Sequence, residues 1–205
     1  MSRLPFIHET ANVEKGVEIG EGTAVWDTVH IRAPSRIGED CIIGEKTYIA
    51  YDVEIGNKVK INAQVYICAG VEIEDGVMVS AGTVFTNDRF PRATDPELAT
   101  LRPSEPDADL ARTIVREGAT IGAGAVIGPG IELGRWSMIG MGSIVTKPVP
   151  AFHLALGNPA RSFGAVCRCG QPLIRFQADT EPSAELVCQR CARLYSLKSG
   201  EVIER

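Results

Sequence analysis

Four of the six cysteines crowd into the last 40 residues. They stand as Cys167-Arg168-Cys169 and Cys188-Gln189-Arg190-Cys191, with eighteen residues between Cys169 and Cys188. Zn²⁺ takes soft donors in a tetrahedron, and two short loops that each supply two thiolates meet that demand. The spacing predicts a structural zinc in a zinc-ribbon-like tail over residues 164–205, with a bare reduced hairpin as the other reading. Cys188-x-x-Cys191 has the usual ribbon spacing, and Cys167-x-Cys169 is one residue short of it. Paired cysteines of this kind suit a reducing compartment better than a disulfide framework. A second concentration of chemistry is Asn87-Asp88-Arg89 with Arg92: an amide, a carboxylate and two guanidinium groups that suit phosphate oxygens. His8, His30 and His153 lack the clustering that a three-histidine metal site needs.

A period of six must position these groups. From Ile7 onward every sixth residue is bulky and apolar, through Ile31, Ile49 and Ile67 to Phe85, fourteen hits in succession. If one residue in three were eligible, chance would give such a run with probability on the order of 10⁻⁷. Two residues before each hit lies a small or β-branched register that includes Val17, Thr23, Ser35, Cys41, Thr47 and Thr83 and fails only at Pro5. Neither helical spacing nor plain alternation persists over that length. Hexapeptides of this kind predict a β-helix, each forming one short strand and one corner of a prism, with the core completed by stacking. Gly20, Gly38, Gly44 and Gly56 directly follow apolar hits, where corners needing unusual backbone angles are expected. Charged residues such as Glu14, Lys15, Glu39, Asp40, Lys58 and Lys60 read as a solvated outer face. Cys41 reads as core, and Cys68 has no evident role.

Residues 89–112 break the pattern with four prolines, four arginines and five acids, and read as a long loop without strand or helix. The repeat resumes in phase at Val115 and runs through Ile121, Ile127, Leu133 and Ile139 to Val145. Lys147-Pro148-Val149-Pro150 should end it, since successive prolines remove ladder donors. Ala151 to Val166 is ambiguous and would cover the open end. With three hexapeptides per coil, residues eighteen apart stack, about 4.8 Å per coil. Asn87 then stands over Ala69, Tyr51 and Ala33, beside the small groups Cys68-Ala69-Gly70. His30 lies roughly 14 Å, three coils, below it.

These hexapeptides, the loop after Phe85-Thr86-Asn87-Asp88 and the closing IVTKPVPAFHLALGNPAR (Ile144 to Arg161) resemble the hexapeptide-repeat acyltransferases over about residues 5–163. The resemblance implies a left-handed parallel β-helix domain over 1–163, a homotrimer, and acetyl-CoA bound between subunits. VFTNDRFPRA (Val84 to Ala93) and VREGATIGAGAVI (Val115 to Ile127) look like a narrower branch. That branch N-acetylates the 3-amino group of nucleotide-linked sugars, such as UDP-2-acetamido-3-amino-2,3-dideoxy-glucuronate or dTDP-3-amino-3,6-dideoxy-hexoses. The zinc-ribbon tail is not part of the family pattern.

Acetyl transfer from a thioester to an amine needs an uncharged amine, a donor for the oxyanion and a path for the proton. No histidine here matches the family's histidine base. The resemblance implies that Asn87 contacts the substrate and that the departing thiolate takes the proton. A corner residue in the left-handed conformation is the plain alternative for Asn87. Asp88 is a second candidate, as amine contact or base, against ordinary solvation. Arg89 and Arg92 are candidates for a sugar diphosphate, and Arg32, His30, Asn62 and Tyr66 for the rest of the substrate. Backbone edges at Ala123-Gly124-Ala125 and at Gly142 and Ser143 are expected to meet the pantetheine arm, with Lys147 and Arg161 on the phosphates.

A net charge of −5 argues against non-specific nucleic-acid binding. The apolar runs are too short to span a bilayer, and no signal sequence is apparent, so a cytoplasmic protein is expected. Two other functions share this coil. A γ-class carbonic anhydrase needs clustered histidines, which are missing. A non-catalytic scaffold that uses loop and tail to bind partners would not bind acetyl-CoA.

Overall fold

A computed structural model describes residues 3–103, 111–177 and 183–205, and every regular element among them is a strand. The coil is a parallel β-helix of the left-handed class, with three flat faces. The first face begins with Phe6–Ile7 and Ala24–Val25, and the second stacks Asn12–Val13, His30–Ile31, Tyr48–Ile49, Tyr66–Ile67 and Val84–Phe85. The third runs from Glu18–Ile19 through Val53–Ile55 to Glu132–Leu133. Paired residues are eighteen apart, as in Ile31↔Ile49 and Ile49↔Ile67. Across the insertion Phe85 pairs with Ile127, so the ladder resumes in register. No helix among the described residues is long and apolar enough to cross a membrane.

Both predicted inward registers face the core. Ile31, Ile43, Ile49, Ile61 and Ile67 are fully buried, each worth about 1.5–3 kcal/mol. The small register holds the coils together by hydrogen bonds as well as by packing. Thr23 Oγ1 donates to Gly38 O at 2.7 Å and accepts the Cys41 N–H at 3.0 Å. Ser35 and Thr47 repeat the scheme with Ala50 O and the Val53 N–H, and with Asn62 O and the Val65 N–H. Cys41 is core as expected; its thiol donates to Gly56 O at 3.1 Å, and burial raises its pKa. Each such side chain satisfies a carbonyl and an N–H that would otherwise be orphaned at a corner. Ser137, in the same register, is 1% exposed and its hydroxyl has no partner.

The glycines follow a different rule from the expected one. Gly20, Gly38, Gly44 and Gly56 do not have positive φ. A Cβ at Gly20 would lie 2.5 Å from the Gly38 carbonyl carbon, and one at Gly44 would lie 2.6 Å from that of Asn62. Close approach of the next coil excludes a side chain there. The left-handed conformation falls two residues later, at Gly16, Gly22, Thr28, Asp40, Lys46, Asp52, Lys58 and Gln64. A single non-glycine residue there costs roughly 1–2 kcal/mol.

The insertion is more ordered than its composition suggests, although 104–110 lie outside the described residues. Asp95 accepts the Ala99 and Thr100 N–H groups and the Thr100 hydroxyl, and Thr94 bridges Leu101. At its end Arg112 pairs with Asp52 at 3.0 Å. The prolines at 148 and 150 do not end the coil. Val149 bridges Leu133, and His153–Gly157 adds a further parallel rung on Met138–Ile139. Ala160–Val166 then returns antiparallel, crossing the boundary drawn at 163/164, and pairs with Pro172–Arg175. Ser183–Val187, Leu194–Lys198 and Glu201–Glu204 form a separate sheet. His153 is buried where the two parts meet: Ser162 Oγ donates to Nδ1 at 2.8 Å and Nε2 donates to Gly200 O at 2.9 Å.

Two outcomes follow. Ser137→Ala should leave the melting temperature unchanged or raise it, whereas Thr47→Val should cost about 1–3 kcal/mol by orphaning buried backbone groups. Equal destabilisation by both would refute the assignment. Burial lowers the His153 pKa, so the folded state holds it neutral while the unfolded state, with a pKa of about 6.5, takes up a proton. The stability from a neutral His153 is complete above about pH 6.5. It should drain away as acid carries the pH down through the folded-state value. Thermal melts between pH 7.5 and 5 should show a shallower decline in His153→Gln.

Candidate active site

The loop leaves the coil from the corner between the second and third faces, where Ala33, Tyr51, Ala69 and Asn87 stack. Asn87 is half-buried, and its Nδ2 donates to Ala69 O at 3.4 Å. A carbonyl can face only the NH₂ end of the amide, so Nδ2 and not Oδ1 is the atom that meets Ala69 O. Asn87 does not have positive φ, which removes the left-handed corner as the reason for asparagine here. Asp88 is exposed, and its carboxylate accepts the Phe90 N–H at 2.8 Å, closing a local turn. The Arg89 guanidinium lies against Gly130, in the space a Cβ there would fill, and Arg92 donates to Pro91 O. Neither arginine bonds to Asn87.

Below Asn87 the outer side of the second face carries an aromatic column. His30, Tyr48, Tyr66 and Val84 pair in successive rungs, which places His30 three coils away, as the periodicity predicts. His30 meets Tyr48 edge-on at 5.4 Å, and Tyr48 and Tyr66 stack at 5.2 Å and 10°. Tyr66 remains 46% exposed. Burial, then Tyr48, pushes its phenol pKa up.

Glu14, expected in the solvated face, organises the foot of this column. Its carboxylate accepts the Ala33 N–H at 3.0 Å and lies 3.3 Å from both His30 Nε2 and Arg32 Nε. The Ala33 N–H leads in holding its pKa below the usual value, with His30 and Arg32 adding to it. The Arg32 guanidinium also sits 5.4 Å from the Tyr51 ring centre. The clue in the sequence was column position, because Glu14 lies one coil below Arg32. Cys68 is 4% exposed in this corner, and burial lifts its thiol to about 12.

Several expected site residues lie elsewhere. Asn62 stands on the first face, in a hollow of about 370 Å³ with Trp26 and Ile42, and does not join His30, Arg32 and Tyr66. Ala125 and Ser143 point into the prism and are at most 1% exposed. Their N–H and C=O groups bond within the coil, so neither can present an edge to a cofactor. Ser143 Oγ accepts the Gly157 N–H. Their neighbours Ala123, Gly124, Met141 and Gly142 are exposed at the corner between the first and second faces; Lys147, two residues past Ile144–Val145 of the second face, and Arg161, on Ala160–Val166, are exposed elsewhere. Two hollows of about 640 and 530 Å³ line the third face and its edge, with Glu54, Glu72, Glu74, Asp75 and Glu117 in their walls. With Glu132 they outnumber Arg36, Arg116 and Arg135 in the same walls, which disfavours phosphate.

At the far end, the sulfurs of Cys167, Cys169, Cys188 and Cys191 all lie within 4.8 Å of one another. Cys167 to Cys191 is 3.4 Å and Cys169 to Cys188 is 3.5 Å. Four sulfurs about 2.3 Å from a tetrahedral centre would be about 3.8 Å apart, so the donor set fits one zinc. The Arg193 backbone N–H and then its side chain lower Cys191 to about 6, while burial raises Cys167 to about 12. The Tyr195 hydroxyl lies 3.2 Å from Cys167 Sγ and accepts the Arg168 N–H.

Comparison with known proteins agrees with this architecture. The profile of the bacterial transferase hexapeptide (six repeats) family matches residues 16–51, 52–87 and 112–147, on either side of the loop. A hexapeptide repeat of succinyl-transferase matches 34–69. Over 91 residues the chain is 42% identical to the dTDP-3-amino-3,6-dideoxy-alpha-D-galactopyranose 3-N-acetyltransferase of Aneurinibacillus thermoaerophilus, covering 44% of each. Over 50 residues it is 52% identical to Escherichia coli serine acetyltransferase, covering 24% of this chain and 18% of that enzyme. The matched segments span under half the length of these relatives. A mutant of AntD, an N-acyltransferase from Bacillus cereus solved with dTDP and coenzyme A, shares the fold at a TM-score of 0.54 and 19% identity, covering 82% of this chain and 86% of that one.

Proposed function

Because the chain belongs to the bacterial transferase hexapeptide family, we propose that it is an acetyl-CoA-dependent N-acetyltransferase acting on the 3-amino group of a nucleotide-linked amino sugar. The orientation of Asn87 carries this reading. One of its two Nδ2 hydrogens bonds to Ala69 O, and Oδ1 is an acceptor that can meet the N–H of an amine. Asn87 therefore positions the attacking amine with its lone pair toward the thioester. The nitrogen attacks the carbonyl carbon, the C–N bond forms and the C–S bond breaks. The departing thiolate takes the amine proton, so no basic side chain is required. His153 is committed to Ser162 and Gly200, and His30 lies three rungs away, which agrees with that route.

The relative acting on a dTDP-3-amino sugar supports the acceptor class. Tyr66 and Arg32 are the surface for the nucleotide, and Arg89 and Arg92 the cations nearest its phosphates. Lys147 and Arg161 serve coenzyme A in the same way, and Ala123, Gly124 and Gly142 border its arm. A homotrimer sets a second copy beside the corner that carries Asn87, and acetyl-CoA lies between the two. The four cysteines hold a structural zinc. A cytoplasmic location fits their reduced state.

Released thiol, measured with acetyl-CoA and a panel of dTDP- and UDP-linked 3-amino sugars, tests the proposal. Asn87→Ala should lower kcat/KM by about tenfold or more, the scale of one lost hydrogen bond, with an unchanged melting temperature. Unchanged turnover would remove Asn87 from the mechanism. Absence of acetyl-CoA binding would favour the scaffold reading.

A further inference from the structure

The tail is the part of the chain that the six-residue period does not explain, and its attachment to the coil suggests a task. Ala160–Val166 pairs antiparallel with the coil's last rung, His153–Gly157, and ends beside Cys167. Cys167 and Cys169 belong to the turn that follows. Cys188 and Cys191 come from the connection between Ser183–Val187 and Leu194–Lys198, which lie in a different sheet. The four sulfurs thus meet between two sheets that no strand ladder joins among the described residues. The buried core there, apart from the cysteines, is Phe152, Ala165, Tyr195, Leu197 and Val202. Units of about forty residues with so little core usually need a metal or a disulfide.

The tail also covers the coil. Tyr195 packs edge-on against Phe152 at 5.4 Å, and the Arg168 guanidinium sits 4.3 Å above the Trp136 ring. Trp136 in turn fills the space above Gly118.

We propose that Zn²⁺ at Cys167, Cys169, Cys188 and Cys191 is a latch that sets the order of the coil's last turn, residues 136–166. This rests on the zinc reading above and adds a local mechanical consequence. With the ion bound, both sheets are tied at one point and the tail stays seated on Trp136 and Phe152. Without it, that contact rests on a few apolar groups, the Arg168–Trp136 stack, the Arg168–Glu117 pair at 4.0 Å and the His153–Gly200 bond, while coils 24–127 keep their own core and ladder. Metal therefore governs one end of the scaffold and not the whole.

Elemental analysis of the purified 205-residue chain, followed by hydrogen exchange before and after stripping with EDTA and after adding Zn²⁺ back, tests this without any activity assay. One zinc per chain is expected. Stripping should raise exchange across 136–166 and the tail by tenfold or more, leave 24–127 unchanged, and reverse with Zn²⁺. Cys188→Ser with Cys191→Ser should reproduce the stripped pattern. Bound zinc whose removal leaves 136–166 unchanged would overturn the latch and spare the zinc reading. Failure to bind added Zn²⁺ would overturn both, and a rise across 24–127 as well would overturn the local character of the latch.

Discussion

Each coil must lie one strand spacing above the last, and the rest of the molecule depends on that distance. At Gly20, Gly38, Gly44 and Gly56 the backbone or a side chain of the next coil comes so near at about 4.8 Å per coil that a Cβ has no room. Where the inward register carries a small polar group, that spacing also brings a corner carbonyl and N–H within reach of it. Thr23, Ser35, Cys41 and Thr47 are those groups. Packing, backbone satisfaction and composition are thus three expressions of one spacing.

The period of six made the faces, the inward registers and the neighbours of Asn87 readable from sequence, because side-chain direction in a β-helix follows position alone. Position does not say which demand a glycine meets. A glycine after each apolar residue suggested unusual backbone angles, whereas the strained conformation falls two residues later, on residues such as Thr28, Lys46 and Gln64. The end of the coil was also misplaced, since prolines at 148 and 150 spare the single bridge at Val149 and a further rung follows.

The site was legible to a lesser degree. Asn87 could be placed over Ala69, but only coordinates show that its amide bonds to that carbonyl. Glu14 was hidden because a lone carboxylate in a charged register looks solvated; it gains meaning from the Ala33 N–H, a backbone group that spacing does not reveal. Asn62 stands on a different face from Tyr66, because the residues between them turn a corner of the prism. Ala125 and Ser143 turn into the core, because the residues that form a corner and those that fill the core alternate within three positions.

The insertion returns to the ladder in register, with Phe85 over Ile127. The coil is therefore indifferent to what is spliced between two rungs, and it works as a ruler graduated in steps of about 4.8 Å. The separation of the amide at 87 from the aromatic column beneath it is quantised. A longer or shorter ligand cannot be met by small shifts of the scaffold. It has to be met by moving a side chain a whole graduation up or down a face, or by changing the loop. Diversification of such a scaffold is accordingly discrete along its axis and continuous only in its insertions.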